Sequence, residues 1–470
     1  MGSISKPELV IGCVQSDLKR DMDKQLKRVD AMTRPYSNPN PKTDAAAQQQ
    51  TRADGSPIND DRAEIGPTQK AFAEWAALGL TPPNLKKMRQ GRLDRLCGEL
   101  KKRDLDGVLL FDPLNIRYAT DSTNMQIWTA HDFSRAAFIT ADGYIILWEF
   151  DRCEHLSAHL TLISERRTGA GGFYFPHGDK ATEYAAKFAH EVQSVMAEHR
   201  IKRMAADKMD FEVAFALRDL GIDLYNGQEV LEHARLIKSD EEIRAMRCSI
   251  ATCEAAIDEM HAALEPGISE VELWSHFHAG NIARGGEWIE TRLFASGPRT
   301  NPWMQEAGPR IIQPGDILAF DTDMIGPYGV ICDISRSWLC GDQDATAEQK
   351  LLHRVAHDHI TENMDLLRPG VSFRDLTFKG HMLPEEYVPQ RYCLKMHGVG
   401  MCDEFPAIYY PEDFIEGAFD YHLEPGMILT VEAYIGAVGG REGIKLEDHI
   451  RVTESAPERM TTYPFDAKLM

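Results

Sequence analysis

The chain lacks any CxxC pair, and its nine cysteines are scattered at positions 13, 97, 153, 248, 253, 332, 340, 393 and 402. A disulfide framework or a structural zinc knuckle is therefore not expected, and a reducing, cytoplasmic setting is. Long apolar runs are missing as well. The most hydrophobic stretch, Tyr144-Ile145-Ile146-Leu147-Trp148, is far too short to cross a bilayer. No basic-then-apolar pattern opens the chain, so no secretory signal and no membrane association are expected. Positive charge is scarce. A net charge of -21 argues against non-specific binding to nucleic acid or to anionic membrane surfaces. What is present is 470 residues with a 43% hydrophobic share, enough for two or three domains with a sizeable core.

Residues from about Met32 to Gly66 are rich in Pro, Asn, Asp, Gln and Thr, and residues 1–66 are expected to form an extended or disordered N-terminal arm. Residues 67–238 read as an α/β domain. Helical spacing covers Thr68 to Leu80, Pro83 to Arg103 and Ala181 to His199, and strand patterns cover Gly107 to Phe111 and Arg203 to Ala206. Ala141-Asp142-Gly143, between two apolar runs, predicts a hairpin. Ser239 with Glu242 forms a capping box that opens a helix stopped by Pro266-Gly267, so a second domain is placed at 239–470.

Three segments of that second domain carry chemistry. FDTDMIGPYGVICDISRSW, residues 320–338, puts Asp321, Asp323 and Asp333 around a Gly-Pro-Tyr-Gly turn. A hairpin there would point Asp321 and Asp323 to one face, with Asp333 meeting them from the returning strand. Three converging carboxylates repel one another and resist desolvation unless a cation joins them. KMHGVGMCDEFPAIYY, residues 395–410, sets His397 beside two glycines that permit close backbone approach. Glu432 and Glu447 each interrupt an otherwise apolar strand, which is costly without a partner or a metal. Five carboxylates and one imidazole suit manganese, iron, cobalt or zinc in a two-metal site.

Together these segments resemble the pita-bread metallopeptidase fold of aminopeptidase P, prolidase, creatinase and methionine aminopeptidase, over about residues 239–455. The preceding domain resembles the creatinase N-terminal domain, most clearly at NIRYATDST, residues 115–123. The resemblance implies an α+β protein: a C-terminal pita-bread domain preceded by a smaller α/β creatinase-like domain. It places Asp321 (or Asp323), Asp333, His397, Glu432 and Glu447 at metal positions. Two departures bear on activity. Pita-bread peptidases usually carry a His in the stretch that is here ASGPRTNPWMQEAGP, residues 295–309, and another seven residues after the metal His, where this chain has Glu404.

Over most of the chain the pattern is similar to a narrower family on this scaffold, the DddP-type dimethylsulfoniopropionate lyases. The likeness is carried by RAEIGPTQKAFAEW (62–75), FDPLNIRYATDSTNMQ (111–126), RGGEWIETRL (284–293), ASGPRTNPW (295–303), MHGVGMCDE and the closing YPFD (463–466). That resemblance implies two divalent metals, iron being the common choice. They would be held by Asp321, Asp323, Asp333, His397, Glu432 and Glu447, with Asp403 as catalytic base. It also implies a small-molecule sulfonium substrate and a homodimer. A sulfonium favours aromatic faces. Tyr392, five residues before His397, comes first, and Trp303, Phe405, Tyr409 and Tyr410 are further candidates. Two other readings compete. A Xaa-Pro dipeptidase or aminopeptidase would release an N-terminal residue from a proline peptide, and a non-catalytic binding module would hold no metal.

Overall fold

The computed structural model describes residues 51–56 and 65–470. Most of the expected arm, residues 1–50 and 57–64, lies outside the described residues. By contact the chain forms two compact units, one holding Asp104–Ile116 and Thr120–Gly227. The other holds the described residues up to Arg103, together with Arg117–Ala119 and Gln228–Met470.

The first unit is built on a six-stranded mixed sheet. Its centre, Gly107–Leu110, pairs antiparallel with Ala136–Thr140 and parallel with Met204–Ala206. The expected hairpin is present: Ala136–Thr140 runs antiparallel to Ile145–Glu149. Gly107–Leu110, Ala136–Thr140 and Ile145–Glu149 are buried throughout, and helix Ala181–Glu198 lays Phe188, Val192 and Val195 into the same core as Leu109, Phe138 and Trp148.

The second unit carries a five-stranded antiparallel sheet in the order 403–409, 394–399, 428–435, 444–451, 458–459. Strand Ser335–Leu339 pairs with Ile317–Asp321, which pairs in turn with Phe294–Ser296. The expected cap forms, and a second accompanies it. Ser239 and Glu242 make a capping box at helix Asp240–Ala262, and Ser269 and Glu272 make a second one at Glu270–Ala283. The helices Gln69–Ala77 and Leu85–Lys102, expected with the N-terminal domain, group with this unit instead. The reason is apolar: Ala71, Trp75, Leu85 and Met88 share one core with Ile243, Met246, Ile250 and Trp274. Within the expected arm, Asp54 is fully buried and accepts a hydrogen bond from the Tyr328 hydroxyl at 2.9 Å.

Arg336, fully buried, staples the two strand groups that bear the acidic residues. Its guanidinium donates to the carbonyls of Glu447 and Tyr463 and pairs with Asp448 at 2.8 Å. Ser337 Oγ and the backbone of Lys445 exchange two further bonds at 3.1 Å. These contacts fix strand 335–339 against strand 444–451 independently of any side chain at the site.

His353 on helix Ala347–Met364 is buried, with both ring nitrogens unpartnered. Burial, aided by neighbouring His357, pushes its pKa down to about 4. The folded protein thus keeps it neutral where the unfolded chain protonates it. Stability is expected to fall as pH drops from about 6.5 and to level off below about 4. Denaturant titrations across that window should show a flatter profile for His353→Phe than for the wild type.

Candidate metal centre

The hairpin that carries the three aspartates is not one regular ladder. Ile317–Asp321 pairs with Ser335–Leu339, and Met324–Ile325 pairs with Ile331–Cys332, while residues 322–323 and 333–334 fall between the two paired stretches. Thr322 bridges the gap: its hydroxyl donates to the Cys332 carbonyl at 2.9 Å and accepts from the Ile334 N–H at 2.8 Å. Asp323 consequently adopts φ 35°, a left-handed conformation uncommon outside glycine. The strict alternation expected for Asp321 and Asp323 is therefore broken. Even so, one ligand oxygen from each of Asp321, Asp323 and Asp333 lies within 4.8 Å of the others.

His397 enters from strand Leu394–Val399, which is bulged between His397 and Gly398. Its Nδ1 lies 3.1 Å from the Gly398 carbonyl, so a proton on Nδ1 is hydrogen-bonded, and Nε2 is the nitrogen that a metal would take in exchange for a proton. That Nε2 faces Glu447 Oε1 at 3.4 Å, Glu432 Oε1 at 3.6 Å and Asp333 Oδ2 at 3.7 Å. Glu432 and Glu447 stand directly opposite each other on paired strands. Both Oε1 atoms are buried without a hydrogen-bond partner. Orphaned carboxylate oxygens gathered around one imidazole nitrogen form a donor set that a divalent cation completes. Asp333, His397 and Glu447 make one candidate group, and Asp321, Asp323 and Asp333 the other. Asp333 belongs to both.

The electrostatics agree. Burial, and then the neighbouring Asp321, drives the Asp323 and Asp333 carboxyls well above the usual range. Burial pushes Glu432 up to about 8 against the pull of Lys445. Glu447 goes the other way: burial would raise it, but Lys445 and His397 outweigh that and hold it low.

Lys445 escaped the sequence reading. Its ammonium, with the side chain 1% exposed, lies 2.9 Å from Asp321 Oδ2, 2.8 Å from Glu432 Oε2 and 2.7 Å from Glu447 Oε2. It also donates to Ser335 Oγ at 2.9 Å, and Ser335 passes a hydrogen bond to Asp321. The two glutamates thus turn one oxygen to the lysine and the other to His397. A signal was available: in Ile444-Lys445-Leu446-Glu447 the two charges are two apart in an apolar strand, hence on one face. His449, two residues further on, accepts the Asp333 N–H at 2.8 Å, and Thr291 donates to Asp323 at 2.6 Å. Neither has a sequence signature.

Asp403 opens strand Asp403–Tyr409, with Oδ1 3.6 Å from His397 Nδ1 and a side chain 55% exposed. Against it the six candidate ligands are all buried. Desolvation raises the Asp403 carboxyl, with His397 opposing. Tyr392 and Trp303 border the site from one side: Lys445 Nζ lies 5.7 Å from the Tyr392 ring and 5.9 Å from the Trp303 ring, and Trp303 stacks on Tyr434. The other aromatic candidates are engaged elsewhere. Phe405 packs with Phe373, Phe419 and Tyr421, Tyr409 packs with Phe419, and the Tyr410 hydroxyl meets His359 Nε2 at 2.9 Å.

Metallopeptidase family M24 matches residues 244–454, the span that carries every one of these acidic side chains and His397. In three dimensions the chain is similar to a Xaa-Pro dipeptidase from Bacillus anthracis. The TM-score is 0.63 at 21% identity, covering 80% of this chain and 98% of that one. An X-Pro aminopeptidase from Thermotoga maritima gives the same TM-score at 18% identity, covering 80% and 99%. The fold is therefore the pita-bread fold preceded by a smaller α/β unit. Sequence likeness is much stronger in one direction. The dimethylsulfoniopropionate lyase DddP of Roseovarius nubinhibens is 49% identical over 427 residues, 89% of this chain and 96% of that protein. The protein of the same name from Roseobacter denitrificans is 47% identical over the same shares. The chain belongs to the DddP dimethylsulfoniopropionate lyase family. None of the described helices is long and apolar enough to cross a membrane.

Proposed function

We propose that the protein cleaves dimethylsulfoniopropionate to acrylate and dimethyl sulfide, with Asp403 as the base. The observation that carries this reading is a half-exposed carboxylate, Asp403, beside His397 and a buried acidic cluster. Asp403 takes the proton α to the substrate carboxylate, the freed electron pair forms the Cα–Cβ double bond, and the Cβ–S bond breaks with its pair leaving on sulfur. Asp321, Asp323, Asp333, His397, Glu432 and Glu447 would hold two divalent ions, with iron the proposed metal. Such ions supply Lewis acidity toward the substrate carboxylate, making the α proton easier to remove. Tyr392 and Trp303 offer the aromatic faces for the sulfonium. The test is direct: the purified metal-loaded protein, given dimethylsulfoniopropionate, should release dimethyl sulfide into the headspace and acrylate into solution in equal amounts. A chain that instead releases amino acids from Xaa-Pro dipeptides, and no gas, would belong to the peptidase chemistry of its structural neighbours. Glu404 at the position of a peptidase histidine supports the lyase.

Tyr392→Ala is expected to raise KM about tenfold, with a smaller change in kcat, because a cation over an aromatic face is worth about 1–2 kcal/mol when partly desolvated. Steady-state gas-release kinetics would read this, and an unchanged KM would remove Tyr392 from the sulfonium site.

We further propose that the protein works as a cytoplasmic homodimer. The eight described cysteines are all free, as a reducing compartment leaves them. On the first unit Phe175, Tyr174 and Ile127 are 76%, 68% and 63% exposed, an apolar surface suited to burial against a second copy. Sedimentation should give a dimer for the wild type and a monomer for Phe175→Glu combined with Ile127→Glu.

A further inference from the structure

Adjacent residues of a strand point to opposite faces, so whatever fixes one side chain also aims the next. Strand Asp403–Tyr409 begins with two carboxylates in opposite settings: the Asp403 side chain is 55% exposed, whereas that of Glu404 is 1% exposed. Glu404 is held on every side. Arg235 Nε lies 2.9 Å from Oε1 and Lys238 Nζ 3.0 Å from Oε2, and the Met401 N–H donates to Oε1 at 2.9 Å. Gly400 makes room for this carboxylate, since a Cβ there would sit 2.3 Å from Glu404 Oε2. The next residue is tied down from helix Gly227–Leu236, which carries Arg235: the Phe405 N–H donates to Glu232 Oε2 at 2.9 Å, and Glu232 pairs with Arg235. Arg92, Arg235, Lys238, Glu242 and Glu404 line one small pocket.

From this geometry, and resting on the reading of Asp403 as base, we propose that Glu404 is the positioning residue for Asp403. The buried ion cluster takes Glu404 on the inner face and so presents Asp403 to the acidic site on the outer one. Glu404 touches neither metal nor substrate in this role.

The experiment uses the full metal-loaded chain, with α-dideuterated and unlabelled dimethylsulfoniopropionate. Glu404→Gln keeps the shape and one acceptor but loses both charge pairings. Its kcat is expected to fall about 10- to 100-fold, with KM within twofold and metal content unchanged, because small misplacements of a catalytic group cost about that much. The primary isotope effect on kcat should rise, since slower proton transfer becomes more fully rate-limiting. A variant that was merely part-unfolded would lose amplitude with no change in isotope effect. Lys238→Met, which leaves the Glu404–Arg235 pair intact, serves if Glu404→Gln does not fold, and should shift kcat and the isotope effect the same way by less. Wild-type values of both quantities in the folded variant overturn the proposal. So does loss of metal in step with loss of rate, which would make Glu404 part of the metal architecture. The wild-type control separates the two layers: no gas from wild type refutes the lyase reading and the proposal with it, whereas gas from wild type and equal gas from the variant refutes the proposal alone.

Discussion

Asp403→Asn is expected to keep its full metal content and to lose about three orders of magnitude in kcat, the middle of the range that a positioned base contributes. The amide preserves the size and hydrogen-bonding reach of the side chain but cannot take a proton. The large effect follows from the surroundings. Six other acidic or imidazole side chains lie close by, yet each is buried and faces the candidate metal positions or Lys445. None of them has the exposure that a base would need to meet a substrate carbon and then return its proton to water, as the half-exposed Asp403 has. Metal analysis beside headspace gas detection would check both halves. A variant with a tenth of the wild-type rate or more would show that another group does the work.

The second large effect is expected at Lys445. Replacing it with Met leaves Asp321, Glu432 and Glu447 facing one another in a buried site without their shared cation. Removing one partner of a buried ion pair typically costs about 3–5 kcal/mol, and here one ammonium serves three carboxylates. In chelator-treated protein the Lys445→Met variant should therefore unfold at much lower urea concentration than the wild type. Added divalent metal should recover part of the difference, because the ions take over the neutralisation. Equal urea midpoints for the two metal-free proteins would show that the lysine contributes nothing to holding the cluster.

Several features of the fold could be read from the chain because they depend on local chemistry. The Ser239–Glu242 box, the apolar face of Ala181–Glu198 and the Ala141-Asp142-Gly143 turn each carry their own signal within a few residues. The acidic residues were legible for a related reason: a charge inside an apolar strand is costly unless something answers it, as at Glu432 and Glu447. What answers it was harder to see. The convergence of Ser335 with Lys445 spans 110 residues of sequence, and that of Asp333 with His449 spans 116, so neither has a local trace. The break at Thr322 was missed because a threonine in a strand pattern reads as strand, and only the opposed Cys332 and Ile334 reveal that its hydroxyl has replaced a ladder bond. The allocation of Gln69–Ala77 and Leu85–Lys102 to the second unit was hidden for the same reason. An amphipathic helix declares that it has an apolar face, not which core receives it.

The candidate ligands begin at Asp321 and end at Glu447, and the strands that bear them are pinned together by Arg336 rather than by anything a metal supplies. A growing or refolding chain must close loops of more than a hundred residues before a complete binding site exists, and such non-local closure comes late. No fragment ending before Glu447 presents the full set of oxygens. The protein therefore matures in a fixed order, shape first and loading afterwards. Until the ions arrive, Lys445 holds their place for part of the cluster.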